Sequence, residues 1–152
     1  MASFYFEEFE VGQVFVHAIR RTVTETDNVL FSTMTHNPAP LHIDHEYMRT
    51  QSEFGQPLVN SFLTLGLIVG ISINDTTLRT TVANLGLEEV RFPNPLFVGD
   101  TVHVETKVIA TRPSTSRPKN GILTLAHYGY KQDDTLIASC RRVVLMLCKE
   151  SS

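Results

Sequence analysis

The sequence predicts an α+β fold in which an antiparallel sheet wraps around a long central helix. Residues 61–74, SFLTLGLIVGISIN, are apolar on nearly every side, which is typical of a helix buried in a core. After about Thr81 the chain consists of strand-like runs separated by turn residues. These runs are residues 81–90, 101–111, 122–131 and 135–148. One buried helix and a consecutive set of strands are most simply combined by packing the helix against the sheet.

The elements before the central helix are predicted from turn and capping residues. Residues 12–20 form a short run suited to a strand, and residues 22–34 begin with the polar side chains typical of a helix N-terminus. We expect Pro38 and Pro40 to end this helix, because proline disrupts helical hydrogen bonds. A short helical turn is expected after Asp44, before an irregular segment that leads to the central helix.

Capping residues and glycines are expected to position the central helix. Asn60 or Ser61 can cap its N-terminus. Gly66 and Gly70, four residues apart, would allow the sheet to approach the helix backbone closely. The exposed edges of such a sheet favour pairing with a second copy, so we expect a homodimer or a higher homo-oligomer.

Length, composition and charge limit the classes of function. The 152 residues are 42% hydrophobic and 19% charged, and neither a repeat nor a linker divides them, so we predict one domain over residues 1–152. The formal net charge of −3 provides no broad basic surface, which argues against a nucleic-acid partner. The most apolar run, residues 58–73, is interrupted by polar side chains and is too short to cross a bilayer. The N-terminal residues lack the pattern of a signal peptide, so we expect a cytoplasmic protein.

The two cysteines are expected to be small core side chains. Cys140 and Cys148 lie eight residues apart in one predicted strand, and at about 3.3 Å per residue this separation is beyond the reach of a disulfide.

The segment HNPAPLHIDH, residues 36–45, contains three histidines and an aspartate, which are residue types that bind zinc. The spacing argues against a metal site, because His42, Asp44 and His45 cannot all point inward from an extended chain. We therefore predict no metal, and we expect His36 and His45 to take no part in function. His17, His103 and His127 fall in strand patterns and are expected to be structural or surface groups.

His42 is the candidate for proton transfer, since imidazole is the side chain most often used for this purpose near neutral pH. Asn37 lies five positions earlier, and the intervening Pro-Ala-Pro-Leu could turn both side chains toward one water. The alternative is a loop histidine bonded to the backbone. The free N–H groups at the start of the central helix, near Ser61, could stabilise an oxyanion such as the enolate of a thioester. A proton-transfer histidine and an oxyanion-binding helix start together suggest a reaction at the carbon beside a carbonyl.

Three segments carry a resemblance to a known family, and they occur in its order and spacing. They are NPAPLHID at residues 37–44, FGQPLVNS at residues 54–61 and RFPNPLFVGDT at residues 91–101. The chain resembles the MaoC-like, (R)-specific enoyl-CoA hydratase family of hot-dog folds, and within it the mesaconyl-CoA and itaconyl-CoA hydratase branch. The resemblance implies reversible addition of water to a 2-enoyl-CoA. It also implies that His42 is the catalytic histidine and that the backbone N–H of Ser61 is the oxyanion donor.

Asn37 departs from the family pattern, because it stands where most members have a catalytic aspartate. A neutral amide cannot take up a proton at neutral pH, although it can accept and donate hydrogen bonds. Either His42 is the only proton-transfer group and Asn37 orients the water, or Asp44 supports His42 from the same side of an extended segment. Asp44 could instead cap the helical turn that follows it. Asn60 and Ser61 replace the His-Gly pair that commonly opens the family's central helix.

Five cations are candidates for binding anionic groups of the substrate. Arg112, Arg117 and Lys119 lie in a Pro/Ser-rich loop that is either a solvated hairpin connection or a contact for the phosphates of coenzyme A. Arg79 and Arg91 are the cations available for the second carboxylate of a dicarboxylic acyl group.

The predicted function is hydration and dehydration of a short 2-enoyl-CoA, branched or dicarboxylic, of the mesaconyl-CoA or itaconyl-CoA type. It requires no metal or redox cofactor, and coenzyme A enters only as part of the substrate. Two alternatives remain open: a hot-dog acyl-CoA thioesterase and a non-catalytic acyl-CoA-binding protein of the same fold.

Overall fold

A computed structural model describes residues 3–150 as an α+β structure, which confirms the predicted fold class. Its helices are α1 (Glu25–Met34), α2 (Pro40–Ile43), α3 (His45–Gln51) and α4 (Ser61–Ile73). Its strands are β1 (Val14–Val16), β2 (Arg21–Thr22), β3 (Thr81–Arg91), β4 (Thr101–Pro113), β5 (Asn120–Tyr130) and β6 (Leu136–Leu147). A short 3-10 turn, Phe6–Glu8, precedes them. The predicted domain over residues 1–152 also includes residues 1, 2, 151 and 152, which lie outside the described residues.

The strands form one antiparallel sheet in the order β1-β4-β5-β6-β3, and β2 pairs with the start of β4. Buried and less buried side chains alternate along β4, β5 and β6 because one face of each strand meets the core. The alternation predicted for residues 101–109 is therefore confirmed. Strand β3 lies at an edge of the sheet, and most of its residues are exposed.

The central helix α4 packs against β4, β5 and β6, with Ile68 fully buried at the contact. The expectation that Gly66 and Gly70 permit the close approach is wrong: both are exposed, and a Cβ atom on either would meet nothing within 4 Å. The close approach occurs at Gly129 of β5, where a Cβ atom would overlap Cγ2 of Ile68. The glycine that admits the helix therefore belongs to the sheet, and the helical glycines face outward.

The segment between α1 and α4 is more helical than the sequence predicts. Helix α1 ends at Met34, and His36 follows with a positive φ of 56°. Pro40 does not end a helix but begins α2, where its missing N–H is not needed and its fixed φ suits the first turn. The helical turn expected after Asp44 is present as α3.

Both cysteines are free, as the spacing predicts. Cys140 is buried in β6, and this burial raises the pKa of its thiol to about 11, whereas Cys148 is half-buried just after the strand. Within residues 3–150, no helix has both the length and the apolar character needed to cross a membrane.

A chain of hydrogen-bonded polar side chains runs inward from the half-buried Asp75 beside the sheet. Asp75 is hydrogen bonded to Nδ1 of His17 (2.6 Å), Nε2 of His17 to the hydroxyl of Thr106 (2.8 Å), and that hydroxyl to Nδ1 of His127 (2.9 Å). The guanidinium of Arg142 donates to Nε2 of His127 at 3.2 Å. Because arginine can only donate, Nε2 of the neutral His127 accepts and Nδ1 carries the proton, which it donates to the hydroxyl of Thr106. Burial, with the neighbouring charges of Arg142 and His17, lowers the pKa of His127 to about 3.

Candidate active site

Helix α2 places His42 at the edge of the interior, with 9% of the residue exposed. Its Nδ1 atom lies 2.9 Å from the carbonyl oxygen of Leu58. A carbonyl only accepts, so Nδ1 must carry the proton and Nε2 must carry the lone pair when the ring is neutral. Within residues 3–150, Nε2 makes no hydrogen bond. It is not completely enclosed by protein atoms, so it borders solvent. The neutral imidazole therefore presents Nε2 as an acceptor that is unpartnered within the described chain.

The start of α4 presents a backbone donor three residues after Leu58. Asn60 caps the helix, its side-chain oxygen accepting from the N–H of Phe62 at 3.0 Å. The N–H of Ser61 has no hydrogen-bond partner in the described part of the chain. The helix dipole adds positive potential at this end. A developing oxyanion would thus meet a donor that is already in place.

A cleft of about 340 Å³ opens beside Ser61. Its walls are mostly apolar and include Phe54, Leu58, Phe92 and Ile137. Such a cleft suits a short acyl chain whose thioester carbonyl lies at the helix start, since apolar walls bind the chain and one polar group orients it.

Asn37 is half-buried just before α2, and its side chain stabilises a turn. The side-chain oxygen accepts from the N–H of Ala39 at 3.2 Å, while the backbone N–H donates to the carbonyl of Ser32 at 2.8 Å. The side-chain NH₂ makes no hydrogen bond within the described residues. It is therefore free to donate to a water oxygen, and the group can orient a water without taking its proton.

Asp44 is the N-cap of α3. Its carboxylate accepts from the N–H of Tyr47 at 2.8 Å, and the residue is exposed. Among residues 3–150 the carboxylate of Asp44 makes no hydrogen bond to His42, so Asp44 acts in this structure as a helix cap.

The structure separates Arg112, Arg117 and Lys119 from the cleft. These residues lie at or beyond the end of β4, whereas the cleft lies beside the residues just before Thr101, where β4 begins. Thr101 and Arg112 are roughly 36 Å apart along the strand at about 3.3 Å per residue. Within one copy of the chain the structure therefore does not bring these three cations to the cleft.

The two remaining cations differ in position. Arg79 lies beyond the C-terminus of α4, and this helix alone spans roughly 18 Å from Ser61 at about 1.5 Å per residue. Arg91 ends β3 directly before Phe92, which lines the cleft, and its exposed guanidinium bonds only to its neighbour's carbonyl within the described chain. Of the five predicted cations, Arg91 is thus the one that directly precedes a residue of the cleft wall.

Two residues near the site escaped the sequence analysis. Lys131 lies 3.8 Å from the carboxylate of Asp100 and 5.9 Å above the ring of Phe97, close to the cleft. Asn28 is buried in α1 and bonds to both segments that form the site. The available signal for Asn28 is its spacing from Ser32, which is also buried: two small polar residues one helical turn apart on the inner face of α1.

Comparison with known proteins gives a consistent result. Residues 7–129 match the family described as "MaoC like domain". The chain is 29% identical over 142 residues to β-methylmalyl-CoA dehydratase of Chloroflexus aurantiacus, covering 93% of this chain and 40% of that protein. It is 27% identical over 151 residues to mesaconyl-CoA hydratase of Cereibacter sphaeroides, covering 99% of this chain and 43% of that protein. The chain thus spans about two-fifths of the length of these relatives.

The solved structures that are similar to this chain include one of matching length. The MaoC-like dehydratase from Rhodospirillum rubrum superimposes with a TM-score of 0.83 at 27% identity, covering 97% of this chain and 99% of that one. The sheet wrapped around α4 is the hot-dog fold that the sequence predicts.

Proposed function

Because this chain belongs to the MaoC-like domain family, we propose that it catalyses the reversible hydration of a 2-enoyl-CoA thioester. One observation carries the proposal: the carbonyl of Leu58 fixes the proton on Nδ1 of His42 and leaves Nε2 as the base, and Leu58 itself precedes the free N–H of Ser61 by three residues. Leu58 lines the cleft beside Ser61, so its hydrogen bond to His42 connects a base and an oxyanion donor, the two groups required to add water beside a thioester carbonyl.

In the proposed mechanism, Nε2 of His42 takes a proton from water as the water oxygen bonds to C3 of the substrate. The C2–C3 π electrons move toward the thioester, and the enolate oxygen accepts a hydrogen bond from the N–H of Ser61. The protonated imidazole then delivers its proton to C2, which restores the thioester carbonyl and the neutral ring. Asn37 orients the water through its NH₂ group, since an amide cannot serve as the base.

The proposed substrate is a short, branched or dicarboxylic enoyl-CoA. The small apolar cleft and the names of the two relatives support this choice, and Arg91 at the cleft would pair with a distal carboxylate. The proposed reaction needs no metal or redox cofactor, because every proton transfer is assigned to His42. The cytoplasmic location expected from the sequence stays a prediction.

The test follows two signals, one for hydration of the double bond and one for hydrolysis of the thioester. Purified protein is mixed with crotonyl-, mesaconyl- and itaconyl-CoA, and the absorbance of the enoyl thioester is followed together with the release of free coenzyme A. Loss of enoyl absorbance without release of the thiol would support hydration. Thiol release would instead indicate a thioesterase, and binding of the CoA ester without either change would indicate a non-catalytic protein.

We also propose that a second copy pairs with this one along β3. That edge strand exposes Val82, Leu85 and Leu87, and a groove of about 570 Å³ between β3 and α4 runs beside Phe62, which is 69% exposed. A long apolar edge left open favours association. Sedimentation should give a dimer or larger assembly for the wild type and a smaller species for Leu87→Arg. A monomeric wild type would contradict this assembly.

A further inference from the structure

We propose that Asn28 is a positioning residue that holds His42 and the start of α4 in the geometry required for proton transfer and oxyanion binding. This inference rests on the proposed hydration. Asn28 is 1% exposed and lies on the inner face of α1, away from the cleft walls. Its role would be exerted through the two groups that meet the substrate.

The side-chain amide of Asn28 makes three hydrogen bonds to backbone atoms of two separate segments. Its NH₂ group donates to the carbonyl of His42 and to the carbonyl of Leu58, both at 3.0 Å. Its oxygen accepts from the N–H of Asn60 at 2.8 Å. The two carbonyls can only accept and the N–H can only donate, so they fix the orientation of the amide. Both of its hydrogens and its oxygen are used.

The contact with Leu58 connects this amide to the imidazole. The carbonyl of Leu58 accepts from the NH₂ group of Asn28 and from Nδ1 of His42. Asn28 therefore anchors the oxygen that selects the tautomer of His42, and at the same time anchors the backbone of His42 itself. A shift of this carbonyl would release the ring and leave the proton-bearing nitrogen undefined.

The contact with Asn60 connects the same amide to the oxyanion donor. Asn60 directly precedes Ser61, and its side chain caps α4. One helical turn beyond Asn28, the buried hydroxyl of Ser32 accepts from the NH₂ of Asn60 at 3.3 Å. Helix α1 thus holds the base and the helix start against one rigid face, and small displacements of such groups are costly to catalysis.

Three variants test the role. Asn28→Asp keeps the size and the acceptor but turns an oxygen toward the carbonyls of His42 and Leu58, and Asn28→Leu removes all three bonds. Thr106→Val is the matched control. It deletes the hydroxyl of another fully buried residue, which makes two hydrogen bonds and lies outside the site. For both Asn28 variants we expect kcat to fall roughly tenfold to a hundredfold, with affinity for the CoA ester within about twofold. Thr106→Val should lower the melting temperature and leave kcat unchanged.

A spectroscopic measurement separates positioning from folding. Long-range ¹H–¹⁵N spectra at about pH 8 should show His42 in the Nδ1–H tautomer in the wild type and in Thr106→Val, and a mixture of tautomers in the Asn28 variants. Wild-type His42 in the Nε2–H tautomer would overturn the proposal even if no Asn28 variant folds. So would folded Asn28 variants with unchanged kcat and an unchanged tautomer. If the wild type hydrates no enoyl-CoA, the proposed function fails, and the tautomer spectra still decide the role of Asn28.

Discussion

The Nδ1 atom of His42 lies 2.9 Å from the carbonyl oxygen of Leu58, which fixes the proton on the inner nitrogen and leaves Nε2 at the solvent boundary. Leu58 also lines the cleft and precedes the start of α4 by three residues. One backbone carbonyl therefore relates the candidate base to the candidate oxyanion donor, and the direction of proton transfer follows from this contact.

Replacing His42 by alanine should lower kcat by roughly 10²–10⁴, because no other proton acceptor is assigned to the attacking water. Steady-state hydration rates of an enoyl-CoA ester provide the measurement. His45→Ala is the matched control, since His45 is exposed and paired with Glu25, and it should retain full activity. A decrease of less than about threefold for His42→Ala would show that another group transfers the proton.

Asn37 gives a prediction in two directions. Asn37→Ala should reduce kcat, because it removes both the side-chain oxygen that accepts from the N–H of Ala39 and the free NH₂ group. Asn37→Asp keeps the acceptor for that turn and adds a carboxylate that can take a proton, so activity should be retained or raised. The comparison of kcat for the two variants is informative: equal, severe losses would mean that the NH₂ group is indispensable and that an acid cannot replace it.

The long elements were predictable because burial sets their pattern. The alternation along β4 and the continuous apolar run of α4 both result from burial of these elements in the core. The face of α4 that meets the sheet was not predictable, since a helix that is apolar all round does not specify one. The sequence therefore predicts the close approach at Gly66 and Gly70, whereas the structure has it at Gly129.

The candidate site was predictable only where its residues are close in sequence. His42 and Ser61 occur in motifs. Asn28, by contrast, is hydrogen bonded to residues 14 and 32 positions away in the chain, and a local sequence pattern does not indicate such contacts. The misplacement of Arg112 has the same origin, because its distance from the cleft depends on the direction of β4 and not on composition.

Arg91 should affect substrate choice and not the chemical step. Arg91→Ala is expected to raise KM for a dicarboxylic enoyl-CoA about threefold to fivefold, since an exposed guanidinium and a carboxylate interact by up to about 1 kcal/mol. KM for crotonyl-CoA, which has no second carboxylate, should not change. Arg112→Ala is the control at the far end of β4 and should leave both KM values unchanged. An equal increase for both substrates with Arg91→Ala would indicate a contact with coenzyme A instead.

His127 should make the stability of the fold depend on pH in a defined window. Burial first, and then the charges of Arg142 and His17, lower its pKa from 6.5 to about 3 in the folded chain. Above about pH 6.5 the ring is neutral in both states and the free energy of unfolding does not depend on it. Between that pH and about 3 only the unfolded chain binds the proton, so stability falls by about 1.4 kcal/mol per pH unit as the pH decreases.

Urea unfolding between about pH 7 and pH 5 measures this effect while most carboxylates remain ionised. The wild type should lose about 2 kcal/mol over this range, mostly below pH 6.5. His127→Gln keeps polar atoms near Thr106 and Arg142 but cannot titrate, so its stability should be lower at pH 7 and nearly constant down to pH 5. The exposed His45→Gln should keep the wild-type slope. If His127→Gln loses stability as steeply as the wild type, the proton is taken up elsewhere, and the hydrogen-bonded chain from Asp75 to Arg142 does not hold His127 neutral.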